Sequence, residues 1–173
     1  LRGLVLGLPT QVISKKVWPS TLVITLSKLR CGGISLADVS INSKKNTKAS
    51  VLAAVKMTGL SVSCTADYHY KWGWFSGKGS LSVGGDASSL ATSLLFETKN
   101  VAPLTTTPPS TSRVTSCNAA IDLDNLHLRG GFIASIGNLF KGLIMSKVAD
   151  TVNPEICTAF QDMGAELLTG AMT

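Results

Sequence analysis

Charge is scarce in this sequence. Of its 173 residues only 15% are Asp, Glu, Lys or Arg, where a soluble chain normally carries about 25%. Acidic groups are the scarcest, with 10 Asp and Glu against 16 Lys and Arg, a net charge of +6. No apolar run approaches the roughly 20 residues of a membrane-spanning helix; Leu4 to Leu8 is short and ends at Pro9. There is no Cys-x-x-Cys unit, and His69 and His127 are the only histidines, so neither a zinc domain nor another metal site is expected. No glycine-rich loop stands between a strand and a helix, and Gly77-Lys78-Gly79 falls in a hairpin, so no nucleotide or other cofactor is expected. Few of the cations are Arg, which argues against nucleic acid as a partner. The chain opens without an initiator Met or a recognisable signal peptide, so its start is expected to be a processed or truncated end.

What is present points to a folded chain. Hydrophobic residues make up 45%, enough to exclude wholesale disorder, and the length suits a single domain. Ser and Thr fill about a fifth of the sequence. They supply solubility in place of charge, as suits long strands in a non-cytosolic setting.

The middle of the chain alternates with period two. Val62, Cys64, Ala66, Tyr68, Tyr70, Trp72 and Trp74 form one row; Ser63, Thr65, Asp67, His69 and Lys71 form the other. A face that stays apolar for so long predicts a half-buried strand, roughly 40 Å in length at about 3.3 Å per residue. Three further segments, 21–41, 79–96 and 113–128, read the same way, each with a change of phase that predicts a bulge. The phase changes fall near Ala37-Asp38, at Gly84-Gly85 and between Leu123 and Leu126. Asn42 to Thr47, Gly73 to Gly77 and the Pro/Ser/Thr stretch 103–112 read as links. Four consecutive strands predict an antiparallel meander.

Beyond Gly130-Gly131 the period changes. Phe132, Ile136, Leu139, Phe140, Leu143, Ile144, Val148 and Val152 recur at spacings of three and four, which predicts a helix with a broad apolar stripe. Asn153-Pro154 reads as its end and as the cap of a second helix carrying Ile156, Phe160, Met163 and Leu167. Strands followed by helices give an α+β class.

If the first two predicted strands turn near residues 43–50, facing residues have numbers summing to about 95, and Cys31 faces Cys64 (31 + 64 = 95). A disulfide there would tie the hairpin. The remaining Cys117 and Cys157, 157 − 117 = 40 positions apart, would tether the last strand to the helical segment, a closure worth about 3–4 kcal/mol by chain entropy. The alternative is four reduced, buried cysteines. The same register gathers Trp18, Trp72, Trp74 and Phe75 at one end, ringed by Lys15, Lys16, Lys71, Lys78 and Arg129. Aromatic rings among cations suit an anionic membrane surface, where each Lys contributes about 1 kcal/mol. They equally suit a plug for the end of the core, kept soluble by its lysines.

The stretch from Cys117 through Ile121-Asp122-Leu123, Leu126-His127-Leu128 and the apolar helix to Cys157, together with Tyr70-Lys71-Trp72, Phe75 and Gly79-Ser80-Leu81, resembles the bactericidal/permeability-increasing and lipopolysaccharide-binding protein family of the tubular lipid-binding superfamily. The resemblance runs over roughly residues 20–170. It implies a highly twisted sheet wrapped around a long helix, an elongated apolar pocket for the acyl chains of phospholipid or lipopolysaccharide, a basic tip for anionic headgroups, and a Cys117–Cys157 bridge. Two departures stand out. Members of that family usually carry two such domains and a long N-terminal helix, of which residues 1–8 would be at most a stub. The Cys31–Cys64 pair is not part of the family pattern and rests on register alone.

The function expected from all this is non-catalytic lipid binding, extracellular or lumenal, with Val62, Ala66, Tyr68, Tyr70, Ile136, Phe140, Leu143 and Ile144 as pocket wall or, in the plainer reading, as core. A missing segment or a protein partner would cover an open pocket. The alternative is a structural subunit of a larger extracellular assembly that reuses the fold. An enzyme is not expected, because Asp122 and Asp124 share a face without a catalytic partner and no nucleophile can be assigned to His69 or His127.

Overall fold

The computed structural model describes residues 5–47, 49–98, 109–130 and 137–170. Among them are eight strands in one sheet and one helix: β1 (Leu6–Gly7), β2 (Gln11–Val17), β3 (Ser20–Ser35), β4 (Asp38–Asn46), β5 (Ser50–Trp72), β6 (Phe75–Glu97), β7 (Thr111–Ala120), β8 (Asn125–Gly130) and α1 (Gly137–Gly170). The strand order is β1-β3-β5-β6-β7, with β2 also on β3, β4 on β5 and β8 on β6.

The predicted meander of four strands is therefore incomplete. Its two middle strands are single elements of 23 residues each, and β5 begins at Ser50, well before Val62. Its outer two are broken. β3 and β4 pair with successive stretches of β5, and β7 and β8 pair with successive stretches of β6. The phase change near Ala37 is thus an interruption between strands, and so is the one after Ile121. Real bulges occur elsewhere, at Ser27/Arg30 and Gly32/Ser35. They move the pairing sum from 94 at Leu22↔Trp72 to 95 at Cys31↔Cys64 and 96 at Ser35↔Ser61. Thr21 faces Lys16 of β2, a strand that sequence reading missed because Gln11–Val17 has too few apolar residues to show an alternation. Leu6–Gly7 is strand rather than helical stub. Asn42–Asn46, read as a turn, continues β4.

The chain divides into two compact units. The first takes residues 1–35, 61–88 and 121–152, the second 36–60, 89–120 and 153–173. In the first, the inward rows Leu22, Ile24 and Leu26, and Val62 to Tyr70, are buried together with Phe140, Ile144, Val148 and Val152 of α1. In the second, Ala53, Val55, Leu60, Leu90 and Ile156 are buried. Each unit has one disulfide: Cys31–Cys64 across the β3/β5 ladder (S–S 2.04 Å) and Cys117–Cys157 from β7 to the helix (S–S 2.03 Å).

The helix is continuous through Pro154, a correction to the two helices read from sequence. Its four-residue spacing of buried side chains differs from the 3.6-residue turn, so the stripe advances about 40° per step around the helix. Pro154 is exposed. It removes one backbone donor, and the carbonyl four residues back at Asp150 loses its helical partner on the solvent side. Thr151 Oγ1 donates to Lys147 O (2.8 Å) and Thr158 Oγ1 to Pro154 O (3.1 Å) on either side of this gap. Pro154→Ala should restore the bond and raise stability by about 1–3 kcal/mol, less the entropy regained by the unfolded chain. A urea midpoint that stays put or falls would contradict a strained helix interior.

Candidate functional site

Of the eight wall residues expected from sequence, six are buried in the first unit. Val62, Ala66, Tyr68 and Tyr70 are buried on the inward row of β5, and Phe140 and Ile144 are 0% exposed. Leu143 is half-buried, and Ile136 lies outside the described residues. The Phe140 ring stands edge-on to both tyrosines, with centroids 5.6 Å from Tyr68 and 5.7 Å from Tyr70 at interplanar angles of 75° and 86°. Such contacts contribute about 0.5–1.5 kcal/mol each beyond burial. The tyrosines reach this position because β6 offers glycines beneath them. A Cβ on Gly77 would lie 2.6 Å from Tyr70 Cε1, and one on Gly79 2.7 Å from the Tyr68 hydroxyl. Burial, and then the neighbouring Tyr70, raises the pKa of Tyr68 above its ordinary value of 10.0.

Two hairpin turns lie side by side at the end of β3 and β5. One holds Trp18-Pro19 between the paired Val17 and Ser20; the other holds Gly73-Trp74 between Trp72 and Phe75. Trp18 is 89% exposed, Trp74 85% and Phe75 46%. Trp72 differs from them. It is half-buried, and its indole Nε1 donates to Val17 O at 2.9 Å, pinning one hairpin to the other. Phe75 stacks on Trp72 (6.2 Å, 26°) and tilts against Trp74 (5.3 Å, 39°). Pro19, Ser20 and residues 72–75 enclose a recess of about 310 Å³. Lys15, Lys16, Lys71 and Lys78 are exposed. Arg129 is exposed as well, but it faces Ser80, further along β6 than the aromatic group.

Sequence reading missed a polar cleft of about 340 Å³ on the outward face of the first unit, where Lys28, Asp67, His127 and Arg129 surround the short Ser80 and Ser82. The signal available was the polar row of β5, Thr65-x-Asp67, matched by Ser80-x-Ser82 in β6. The bulge that brings Lys28 into line shows as a change of phase, from Leu22, Ile24 and Leu26 to Leu29 and Cys31. Of the expected wall residues, only Ala66 borders this cleft. In the second unit a recess of about 400 Å³ lies beside Cys117 and Asn118, bordered by Val55 and Thr92. Among the described residues no three His, Cys, Asp or Glu are grouped to hold a metal ion, and no helix is long and apolar enough to cross a membrane.

No protein-family model matches the chain, and no curated protein matches it. Among solved structures it is similar to a crystal structure of a lipopolysaccharide binding protein. The TM-score is 0.72 at 17% identity, covering 94% of this chain and 34% of that one. The chain thus spans about a third of the length of that protein. At so low an identity the likeness establishes the fold, an antiparallel sheet of many strands with one C-terminal helix. Two disulfides fit an extracellular or lumenal setting.

Two outcomes follow from the aromatic packing. Phe140→Ala should cost about 3–5 kcal/mol of unfolding free energy; a loss below about 1 kcal/mol in urea would show that the ring does not fill the space between the tyrosines. Because Tyr68 stays protonated when folded while an unfolded Tyr ionises near pH 10, its contribution is complete below pH 10 and fades as pH rises above it. The melting temperature should therefore fall above pH 10, and less steeply in Tyr68→Phe.

Proposed function

We propose that the protein binds lipid without catalysis, in an extracellular or lumenal setting, as one lipid-binding domain. The observation that carries this reading is the fold likeness to a lipopolysaccharide binding protein over nearly the whole chain. The ligand would be phospholipid or lipopolysaccharide, with acyl chains against Val62, Ala66, Tyr68, Tyr70, Phe140, Leu143 and Ile144. Each methylene taken from water contributes about 0.8 kcal/mol, so even partial enclosure of a chain gives useful affinity.

The exposed Trp18, Trp74 and Phe75 would enter the headgroup region of an anionic membrane. Lys15, Lys16, Lys71 and Lys78 would meet its phosphates, with Arg129 behind them. Trp72 holds the two hairpins together rather than inserting.

A second reading, a structural subunit that reuses the fold, is favoured by one specific feature. Phe140 already occupies the space between Tyr68 and Tyr70, so an acyl chain must lie elsewhere along the row or displace the ring. In that case a protein partner would take the place of lipid.

Denaturing extraction followed by mass spectrometry should recover lipid bound to the purified protein; repeatedly lipid-free preparations that also take up none on incubation would favour the structural subunit. Flotation with anionic vesicles should weaken as salt rises and should fall sharply when Lys71, Trp74 and Lys78 are replaced by Ala. Unchanged flotation would remove that end of the sheet from the membrane contact.

A further inference from the structure

The polar cleft on the outward face of the first unit is built by an irregularity in β3. Ser27 faces Asp67 and Arg30 faces Thr65, so Lys28 and Leu29 together oppose Ala66 alone. Leu29 turns into the core at 1% exposure, and Lys28 is turned outward. Its φ of 53° makes it the one non-glycine residue with positive φ among the described residues. A long side chain pays for that conformation in strain. Its ammonium stands over the cleft, 2.9 Å from Asp67 Oδ2.

The opposite wall is β8, where Arg129 faces Ser80 and His127 faces Ser82. Between the two walls the floor is short: Thr65, Ser80 and Ser82, with Ala66 and Leu81 at their base. Among the described residues the side chains of Thr65, Ser80, Ser82, His127 and Arg129 have no hydrogen-bond or ion-pair partner. Lys28 and Arg129 outnumber the one carboxylate, Asp67, which is already engaged.

This is a donor-rich recess with cations on both sides and hydroxyl groups below. A guanidinium presents a planar fork to an oxyanion, and an ammonium adds a point charge. A tetrahedral group with three free oxygens offers such a donor set more acceptor positions than a flat carboxylate does. We propose that this cleft binds a phosphate monoester, with Arg129 and Lys28 on its oxygens, Ser80 and Ser82 donating from below, and Asp67 positioning the Lys28 ammonium. The group could be carried by a lipid headgroup or by a soluble molecule. The assignment does not depend on acyl-chain binding in the interior.

The test is titration of the folded protein with inorganic phosphate, followed by NMR or calorimetry. In parallel, retention on phosphatidylcholine vesicles would be measured with and without phosphatidic acid. Lys28→Gly removes the cation while leaving a residue suited to positive φ; Arg129→Gln removes the other cation and keeps a polar side chain. Each should weaken saturable phosphate binding about tenfold, while a Lys56→Ala control, at an exposed cation of the second unit, should not. A parallel loss of phosphatidic acid retention in Lys28→Gly assigns the phosphate to a lipid headgroup; unchanged retention beside lost inorganic phosphate binding assigns it to a soluble molecule. The proposal is overturned if neither probe responds to Lys28→Gly or Arg129→Gln, or if the Lys56→Ala control loses as much.

Discussion

The first unit is organised by one demand: the apolar row of β5 and the apolar stripe of α1 each need a cover, and each covers the other. Phe140 is the tightest expression of this. Its ring packs T-shaped against both Tyr68 and Tyr70, and both tyrosines lie where β6 has glycine. With so little charge in the chain, this burial proceeds without trapping ions. Among the described residues the buried polar side chains are Ser88 and Thr92, and both are satisfied. Ser88 Oγ donates to Asp122 O (3.3 Å) and accepts from Asp122 N (2.9 Å), while Thr92 Oγ1 donates to Ser116 O (3.0 Å). No buried side-chain donor or acceptor among the described residues lacks a partner, as a low-dielectric interior requires.

The inward rows take the apolar side chains, and the groups able to meet a polar ligand stand on the outward rows and at the ends of the strands. The outward rows carry the cations and hydroxyls, and breaks in the ladder decide which of them converge. Lys28 reaches the polar cleft because a bulge turns it out; Arg129 reaches it because β8 lies on β6. The exposed Trp18 and Trp74 lie at one end of the sheet because two tight turns end at the same level and Trp72 bonds one to the other. Lipid binding and phosphate binding would thus use different parts of one unit, the first its apolar surfaces and the second its polar face.

Some of this was legible along the chain. Val62 to Tyr70 alternates cleanly because a strand places successive side chains on opposite faces. The spacing of Phe140, Ile144, Val148 and Val152 marks a helix for the same kind of local reason. Cys31 opposite Cys64 follows from counting back from a turn. Less visible was whatever depends on a neighbour. Gln11–Val17 has little alternation of its own and is strand because β3 offers a free edge. Asn42–Asn46 has the composition of a turn, yet β5 extends far enough to pair with it. Pro154 carries a stop signal, but with Ile156 buried two residues on, packing outweighs one missing backbone bond.

The sequence alone determined periodicity, and with it which side chains are apolar on which face, because backbone geometry repeats every two residues in a strand and about every 3.6 in a helix. It also placed the scarce charge, which had to stay outside. Tertiary structure decided where ladders break, which outward residues become neighbours, and whether the interior is filled by Phe140. Those outcomes depend on contacts between residues tens of positions apart, which a local repeat marks at most as a change of phase.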